Sequence, residues 1–464
     1  MNIIREISEQ ARRTAADIFN GGPIANASPS SPEVPEDLRS WLPDLFDRFP
    51  IVLPWSKPSP VDPALHNIWI LDNTAFRTPQ PGDRSPDLAE LSDPNHTQPR
   101  LTAGPDAAAG QTKPVGPGSG WEVEFVACYF IKGSGKDIAS TTAALMRHLN
   151  ISDDDVATKK RIAARLEPFV DTVLPNRTLR ISIGGEEEQV LGPSSYAGIS
   201  SGLHELHFTP TSPTTQSSAV NLPPPFGLPS HTVFAEGKGW GVISDIDDTI
   251  KFTQTTSAFG ILQNTFVVDE PQPIEGMPEL YAKMNATLHN PAFFYLSASP
   301  YNLYPFLKRF REAHYPQGTI ILRDASWQNL GGLIASLQLN TEEYKSDRIT
   351  KIHSWLPHRK VICIGDSTQS DPEAYGDAAR KYPGWIKAVF IREVSGIAGM
   401  DDKTKNAPER FETAFRGLER GLWCVFSDPT EVAQRVEELS RDGDADVLGV
   451  ESKDGDDSQG PTAQ

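Results

Sequence analysis

The sequence predicts an α/β chain: a doubly wound parallel sheet over residues 239–440, preceded by a smaller α+β or β-sandwich-like domain. Three observations carry this. From Gly239 onward, short apolar runs alternate with amphipathic helical stretches, the pattern of βαβ units with right-handed crossovers. Between 121 and 210, strand-like runs surround two helical stretches. Proline and glycine cluster outside these regions, and 40 Pro with 35 Gly in 464 residues mark linkers rather than core.

Along the chain, Ile3, Ile4, Ile7, Ala11, Ala15, Ile18 and Phe19 recur at helical spacing, so 1–39 reads as a helix followed by a disordered segment. Residues 40–210 form the first domain, with a low-complexity insertion at about 79–119. Within it NIWILDNTAFR (67–77) reads as a strand and turn and WEVEFVACYFI (121–131) as a buried strand. Helices are expected at 138–149 and 157–169, and strands at 178–185 and 204–210. The stretch 211–238, with Pro223-Pro224-Pro225, reads as a Pro-rich linker; a polyproline ligand for an SH3-type partner is the alternative there. In 239–440, strands at 242–246, 293–299, 318–324, 360–366, 386–394 and 422–428 alternate with helices such as 300–315, 341–355 and 428–439. Residues 441–464 read as an acidic disordered tail, since seven acids and one lysine lie between Asp442 and Asp457.

Composition narrows the functions. A formal charge of −18 argues against nucleic-acid binding, which needs a basic surface. Cys128, Cys363 and Cys424 each lie in an apolar strand-like run without CxxC spacing, as reduced thiols rather than disulfides or zinc ligands. With no apolar run of membrane-spanning length and no signal-peptide core, a cytoplasmic location is expected.

The chemistry is concentrated where strands end. VISDI runs into Asp245-Ile246-Asp247-Asp248-Thr249, and paired carboxylates just past a strand suit phosphoryl transfer. One attacks phosphorus, the other shuttles the proton, and a metal offsets the crowded charge. FFYLSAS ends near Ser297, and KVICIGD runs into Gly365-Asp366-Ser367-Thr368-Gln369-Ser370-Asp371, with Lys345 and Lys351 on the helical stretch before it. Each cluster taken alone also reads as a helix cap or a turn, because Asp, Ser and Thr are favoured there. In sheets of this class ligands gather beyond the carboxyl ends of the strands, where the Asp245, Ser297 and Asp366 clusters fall. Other apparent motifs fail: Phe130 stands where a P-loop ahead of Gly133-Ser134-Gly135-Lys136 needs glycine, and His204 and His207 fall on alternate faces of a strand.

Taken together, the Asp-x-Asp-x-Thr strand, the Ser strand, the lysine and the Gly-Asp-x-x-x-x-Asp strand resemble, in order, the four motifs of the haloacid dehalogenase-like phosphotransferases. The resemblance implies Asp245 as nucleophile, Asp247 as acid and base, and Thr249 orienting the turn. It implies that Ser297 and a lysine donate to phosphoryl oxygens; Lys345 is preferred to Lys351 because the lysine opens the helix in that superfamily. Mg²⁺ would be held by Asp245, the carbonyl of Asp247, Asp366 and waters, with Asp371 steadying that shell.

More narrowly, SDIDDTIK, FFYLSASPYNLYPFL and KVICIGDSTQSDPEAYGD, with IWILDNTAFR and VLGPSSYAGIS in the first domain, resemble the fungal actin patch phosphatidate phosphatase family over most of 40–430. That implies a Mg²⁺-dependent enzyme converting phosphatidate in membranes to diacylglycerol, peripheral to the membrane and linked to cortical actin patches and endocytosis. Two other readings are a phosphatase of the same mechanism acting on a soluble phosphoester or phosphoprotein, and a non-enzymatic actin-patch adaptor. The acidic chain stands in tension with an anionic lipid surface. The apolar residues Phe252, Phe259, Ile261, Leu262, Phe266 and Val267 are expected either to touch the bilayer or to pack in the core.

Overall fold

A computed structural model describes residues 57–77, 120–135, 138–220, 227–323 and 341–448. The expected helix over 2–19, the insertion at 79–119, the triple proline and the tail beyond 448 lie outside the described residues.

The first domain is built on a nine-stranded sheet. Its strands are β1 (Ser59–Pro60), β2 (His66–Ile70), β3 (Asn73–Arg77), β4 (Trp121–Ile131), β5 (Arg177–Ile183), β6 (Glu187–Leu191), β7 (Ile199–Leu206), β8 (Thr214–Ala219) and β9 (Ser230–Ala235). They run in the order β1-β5-β8-β9-β3-β4-β2, with β6 on β5 and β7 on β4. Two helices, α1 (Ile138–His148) and α2 (Val156–Val170), follow β4. α2 opens on Asp155, whose carboxylate accepts the Thr158 amide at 3.0 Å.

The expectation of a linker over 211–238 is corrected. Residues 214–219 and 230–235 are the strands β8 and β9, and β9 pairs in parallel with β3. Their Thr- and Ser-rich sequences carry little apolar signal, and their pairing is set by distant partners. The strand expected at 204–210 likewise lies earlier, at Ile199–Leu206.

The second domain holds a six-stranded sheet of β10 (Trp240–Asp245), β11 (Ala292–Pro300), β12 (Gly318–Arg323), β13 (Lys360–Asp366), β14 (Ile386–Arg392) and β15 (Trp423–Phe426). The order is β12-β11-β10-β13-β14-β15 and every pair is parallel. Helices α3 (Ala258–Leu262), α4 (Met277–Thr287), α5 (Tyr304–His314), α6 (Thr341–Trp355), α7 (Asp371–Lys381), α8 (Asp402–Lys405), α9 (Pro408–Ala414) and α10 (Pro429–Leu448) complete it. Alternate residues of the strands enter two cores. Val242, Phe293, Ile320 and Ile362 pack with Tyr281 of α4, Leu307 of α5 and Val432 of α10. Ile243, Phe294, Ile321 and Cys363 pack with Ile352 of α6, Tyr375 of α7 and Phe411 of α9. Both faces are thus covered, which a sheet of fully buried parallel strands requires.

The two domains share the first of these cores, which also takes in Trp69, Phe130, Leu145 and Ile162. Polar contacts reinforce the seam. The buried Asp72 receives Lys308 at 2.6 and 2.7 Å and Arg311 at 2.5 Å, both from α5. Thr74 bonds Thr319 at 2.7 Å, and Lys351 pairs with Glu124 at 2.5 Å. Among the described residues no helix is long and apolar enough to cross a membrane.

Candidate active site

Strand order reverses between β10 and β13: the chain moves outward through β11 and β12, then returns to the other side of β10. Side chains that leave the carboxyl ends of these two strands therefore converge in one crevice. Asp245 ends β10 and Asp366 ends β13; both are buried, as is Asp371 at the start of α7. Carboxylate oxygens of Asp245, Asp366 and Asp371 lie within 4.8 Å of one another.

Lys345, on the first turn of α6 and fully buried, reaches into this cluster. Its Nζ lies 2.7 Å from Asp245 Oδ1 and also donates to Asp371 Oδ1. The second oxygen of Asp371 accepts the Asp366 amide at 3.0 Å. Thr249 donates to Asp366 Oδ2 at 2.9 Å and the Thr368 amide to Oδ1 at 2.6 Å. Gly365 is required here, since a Cβ would stand 2.5 Å from the Cβ of Asp371. Asp245 Oδ2 is buried without a hydrogen-bond partner.

The electrostatics follow from burial. Removal from water, together with the neighbouring Asp371, Asp366 and Asp247, pushes the Asp245 carboxyl well above the usual range despite Lys345. Burial and Asp371 likewise raise Asp366. Burial alone would lower the Lys345 pKa, but Asp245, Asp371 and Asp366 hold it above its ordinary value, so the ammonium stays charged.

Asp247 forms a second station. Ser297, near the end of β11, donates to its Oδ2 at 2.6 Å. Thr253 donates to Oδ1 at 2.8 Å, and Lys251 Nζ stands 3.2 Å from the same oxygen. Burial raises this carboxyl, but Lys251 and the bonds from Ser297 and Thr253 outweigh it and hold Asp247 below the usual range. The following turn needs a left-handed residue, and Asp248 takes φ +62° there. Its carboxylate accepts the amides of Thr253, Gln254 and Thr255 and the Thr255 hydroxyl, fixing the loop that carries Thr253. Arg392, at the end of β14, donates twice to the Asp248 carbonyl, at 3.0 and 2.7 Å.

The structure thus gathers Asp245, Lys345, Asp366 and Asp371 into one group, with Thr249 bound to Asp366. Lys351 is elsewhere, paired with Glu124 of the first domain. The Asp247 carboxylate stands outside the three-carboxylate group, and Ser297 engages Asp247. Sequence reasoning missed Lys251, Thr253 and Arg392. Lys251 lies four residues after Asp247 inside the motif, and only its burial, 1% exposed, distinguishes it from a surface lysine.

A short lip borders these turns: α3, a π-helical turn at Gln263–Val267 and the loop to α4. Ile261, Leu262 and Phe266 are buried in the core, whereas Phe252 and Phe259 are 36% and 49% exposed.

Fold and site define an α/β protein with a lysine-bridged carboxylate cluster at the carboxyl edge of a parallel sheet. Residues 240–393 match the family described as Phosphatidate phosphatase APP1, catalytic domain. It is 28% identical over 288 residues to Phosphatidate phosphatase APP1 of Saccharomyces cerevisiae, covering 56% of this chain and 45% of that protein. It is 31% identical over 187 residues to an uncharacterized protein of Schizosaccharomyces pombe, covering 38% of this chain and 29% of the other. The matched stretch therefore spans less than half the length of either relative. A solved structure of a mutant PilB minor pilin from Streptococcus sanguinis aligns at 10% identity over 59% of this chain and 80% of that one, with a TM-score of 0.26, too low to carry an argument.

Proposed function

We propose that this chain is a Mg²⁺-dependent phosphatidate phosphatase with a haloacid dehalogenase-like catalytic domain, working through an aspartyl-phosphate on Asp245. The observation that carries the reading is the buried, unpartnered Asp245 Oδ2, beside a lysine-anchored carboxylate group and one turn away from a separately held Asp247. The name of the yeast relative supports the substrate. The exposed Phe259 on the lip, and Phe252 beside it, suit a substrate presented by a bilayer.

The donor set fits a hard divalent cation. Asp245, Asp366 and Asp371 offer only oxygens. The site holds five carboxylates (Asp245, Asp247, Asp248, Asp366, Asp371) against three cations (Lys251, Lys345, Arg392), so a phosphate dianion would meet excess negative charge. Asp245 and Asp366, with Asp371 and the Asp247 carbonyl, are the groups that would hold Mg²⁺. When bound, it would neutralise that excess and polarise the phosphoryl group.

The chain's own residues then divide the work. Asp245 Oδ2 attacks phosphorus, a P–O bond forms, and the bond to the diacylglycerol oxygen breaks. Asp247 protonates the departing alkoxide and later takes a proton from the water that cleaves the acyl phosphate, which restores the Asp245 carboxylate. In this structure Asp247 is held ionised, the state the second step needs. An arriving dianion raises a neighbouring carboxyl's pKa, which favours the protonated state the first step needs. Lys345 counters the upward push on the Asp245 carboxyl and aims it. By the family resemblance, the protein works from the cytosol at membranes served by cortical actin patches; Pro223-Pro224-Pro225 is the sequence that an SH3-domain partner would read.

The test is phosphate release from phosphatidate in mixed micelles, with Mg²⁺ or EDTA, for wild type and Asp245→Asn, beside a soluble phosphoester. Release that needs Mg²⁺, prefers phosphatidate and drops at least about a thousandfold in the variant supports the reading. Equal turnover of the soluble ester would retain the chemistry and discard the lipid substrate. A folded protein inert towards both would point to the adaptor.

A further inference from the structure

The first domain reaches the acid–base group of the second, and we propose that Arg165 on α2, assisted by Arg161, is a positioning residue for Asp247. This rests on the reading of Asp247 given above. Arg165 Nη1 donates to the carbonyls of Val268 at 2.6 Å and Thr265 at 3.2 Å, and Nη2 to that of Asp269 at 2.7 Å. Arg161 Nη1 donates to the Val267 carbonyl at 2.8 Å, and its Nη2 pairs with the Asp269 carboxylate at 2.8 Å. The last carbonyls of a helix lack intrahelical donors, and a cation is favoured there. Two guanidinium groups from another domain therefore hold the carboxyl end of the π-helical turn Gln263–Val267, and Phe169 of α2 packs edge-on against Phe266 of that turn. π-Helical turns are frequent at functional sites.

Two routes lead from this clamp to one oxygen. Within the turn, Asn264 donates to the Thr253 carbonyl at 3.2 Å, and Thr253 donates to Asp247 Oδ1. The Arg165 guanidinium also lies 4.8 Å from the centre of the Phe306 ring, and Lys251 Nζ lies 5.9 Å from that centre. Lys251 is the cation on the same Asp247 Oδ1. Ser297, from the sheet, holds Oδ2. One oxygen of the acid–base carboxylate is thus placed by the sheet, and the other by a lip that the first domain secures. Fusion of the two domains acquires a catalytic reason as well as a packing one.

The test compares wild type, Arg165→Met and Arg165→Lys. Methionine keeps an unbranched stem but loses the forked donor; lysine keeps the charge and one donor direction. Small misplacements of a catalytic group cost up to about a hundredfold, so Arg165→Met is expected to lower kcat by roughly ten- to a hundredfold with KM changed less than about threefold. Arg165→Lys is expected to recover part of the loss. In a Thr253→Ala background Arg165→Met is expected to cost less than it does in wild type, because one of its two routes is already cut. Hydrogen exchange at Asn264–Val268 is expected to quicken at least about tenfold in Arg165→Met. Unchanged exchange, an unchanged kcat in a folded variant, or losses that simply multiply with Thr253→Ala would each overturn the proposal. Should wild type hydrolyse neither phosphatidate nor the soluble ester, the reading of the site falls, while the exchange measurement still decides the clamp.

Discussion

Asp72→Ala should destabilise the whole molecule by about 3 kcal/mol, through an interdomain network that lies outside the carboxylate cluster. Asp72, 2% exposed, is the counter-ion for two buried cations, Lys308 at 6% and Arg311 at 2%. Its Oδ1 also accepts the His231 amide at 2.8 Å. Stripping one partner from a buried pair costs about 3–5 kcal/mol, because the remaining charge stays in low dielectric without compensation. The low end applies here. Glu312, 3.0 Å from Lys308 and 3.5 Å from Arg311, remains as a half-exposed counter-charge. Burial raises the Asp72 carboxyl, but His231, Lys308 and Arg311 together hold it below its ordinary value. A depressed folded pKa stabilises above the unfolded value, so this contribution is complete above about pH 4 and is lost as pH falls through the folded pKa. Urea unfolding at pH 7 measures the effect. Asp72→Ala/Lys308→Met should recover part of the loss, since one orphaned charge is gone. A single variant within about 1 kcal/mol of wild type, or a double variant less stable than the single, would refute the argument.

Two further predictions concern the site and its surroundings. Lys251→Met should lower kcat by roughly ten- to a hundredfold with little change in KM, because Asp247 loses its only ion-pair partner among the described residues; steady-state kinetics on whichever ester wild type hydrolyses checks it. Burial, then Lys381 and His358, lowers the His353 pKa from 6.5 to about 4, so the neutral ring is favoured in the fold. Its stabilisation is complete above pH 6.5 and is lost as pH falls from there towards 4. His353→Phe, which keeps the stack 3.8 Å from Tyr382, should flatten the drop in urea midpoint between pH 7.5 and 5.

The second sheet was legible because buried parallel strands are unbroken apolar runs, and VISD, FFYLSAS and KVICIGD are such runs ending in acid or hydroxyl. Asp245, Asp247, Asp366 and Asp371 could be named because the sheet brings consecutive strand ends to one edge. What stayed hidden depends on burial and on distant pairing. Lys345 and Lys351 are six residues apart on one helix; the resemblance preferred the first, and the packing of α6 sends it to Asp245 and the second to Glu124. Strands β8 and β9 carry serine and threonine where a buried strand would carry valine, so their composition resembled a linker. Arg161 and Arg165 are two of the charged residues in the helical stretch 157–169. Their targets are backbone carbonyls about a hundred residues away, which leave no trace in side-chain pattern.

The boundaries of the chemistry and of the packing therefore do not coincide. The family match spans 240–393 and contains every carboxylate of the site together with Lys345. Yet one face of its sheet is closed by Phe426, Val432 and Val436 beyond that segment, and by Trp69, Phe130 and Ile162 ahead of it. Lys308 and Arg311, on the helix that follows the Ser297 strand, find their counter-ion in Asp72 of the first domain. The lip that carries Asn264, and through it Thr253, is held by Arg161 and Arg165 of α2. A catalytic carboxylate must be held within a fraction of an ångström by groups that are themselves fixed. On the proposed reading, Arg161 and Arg165 of the first domain add to the hold that Ser297, Thr253 and Lys251 of the second domain have on Asp247.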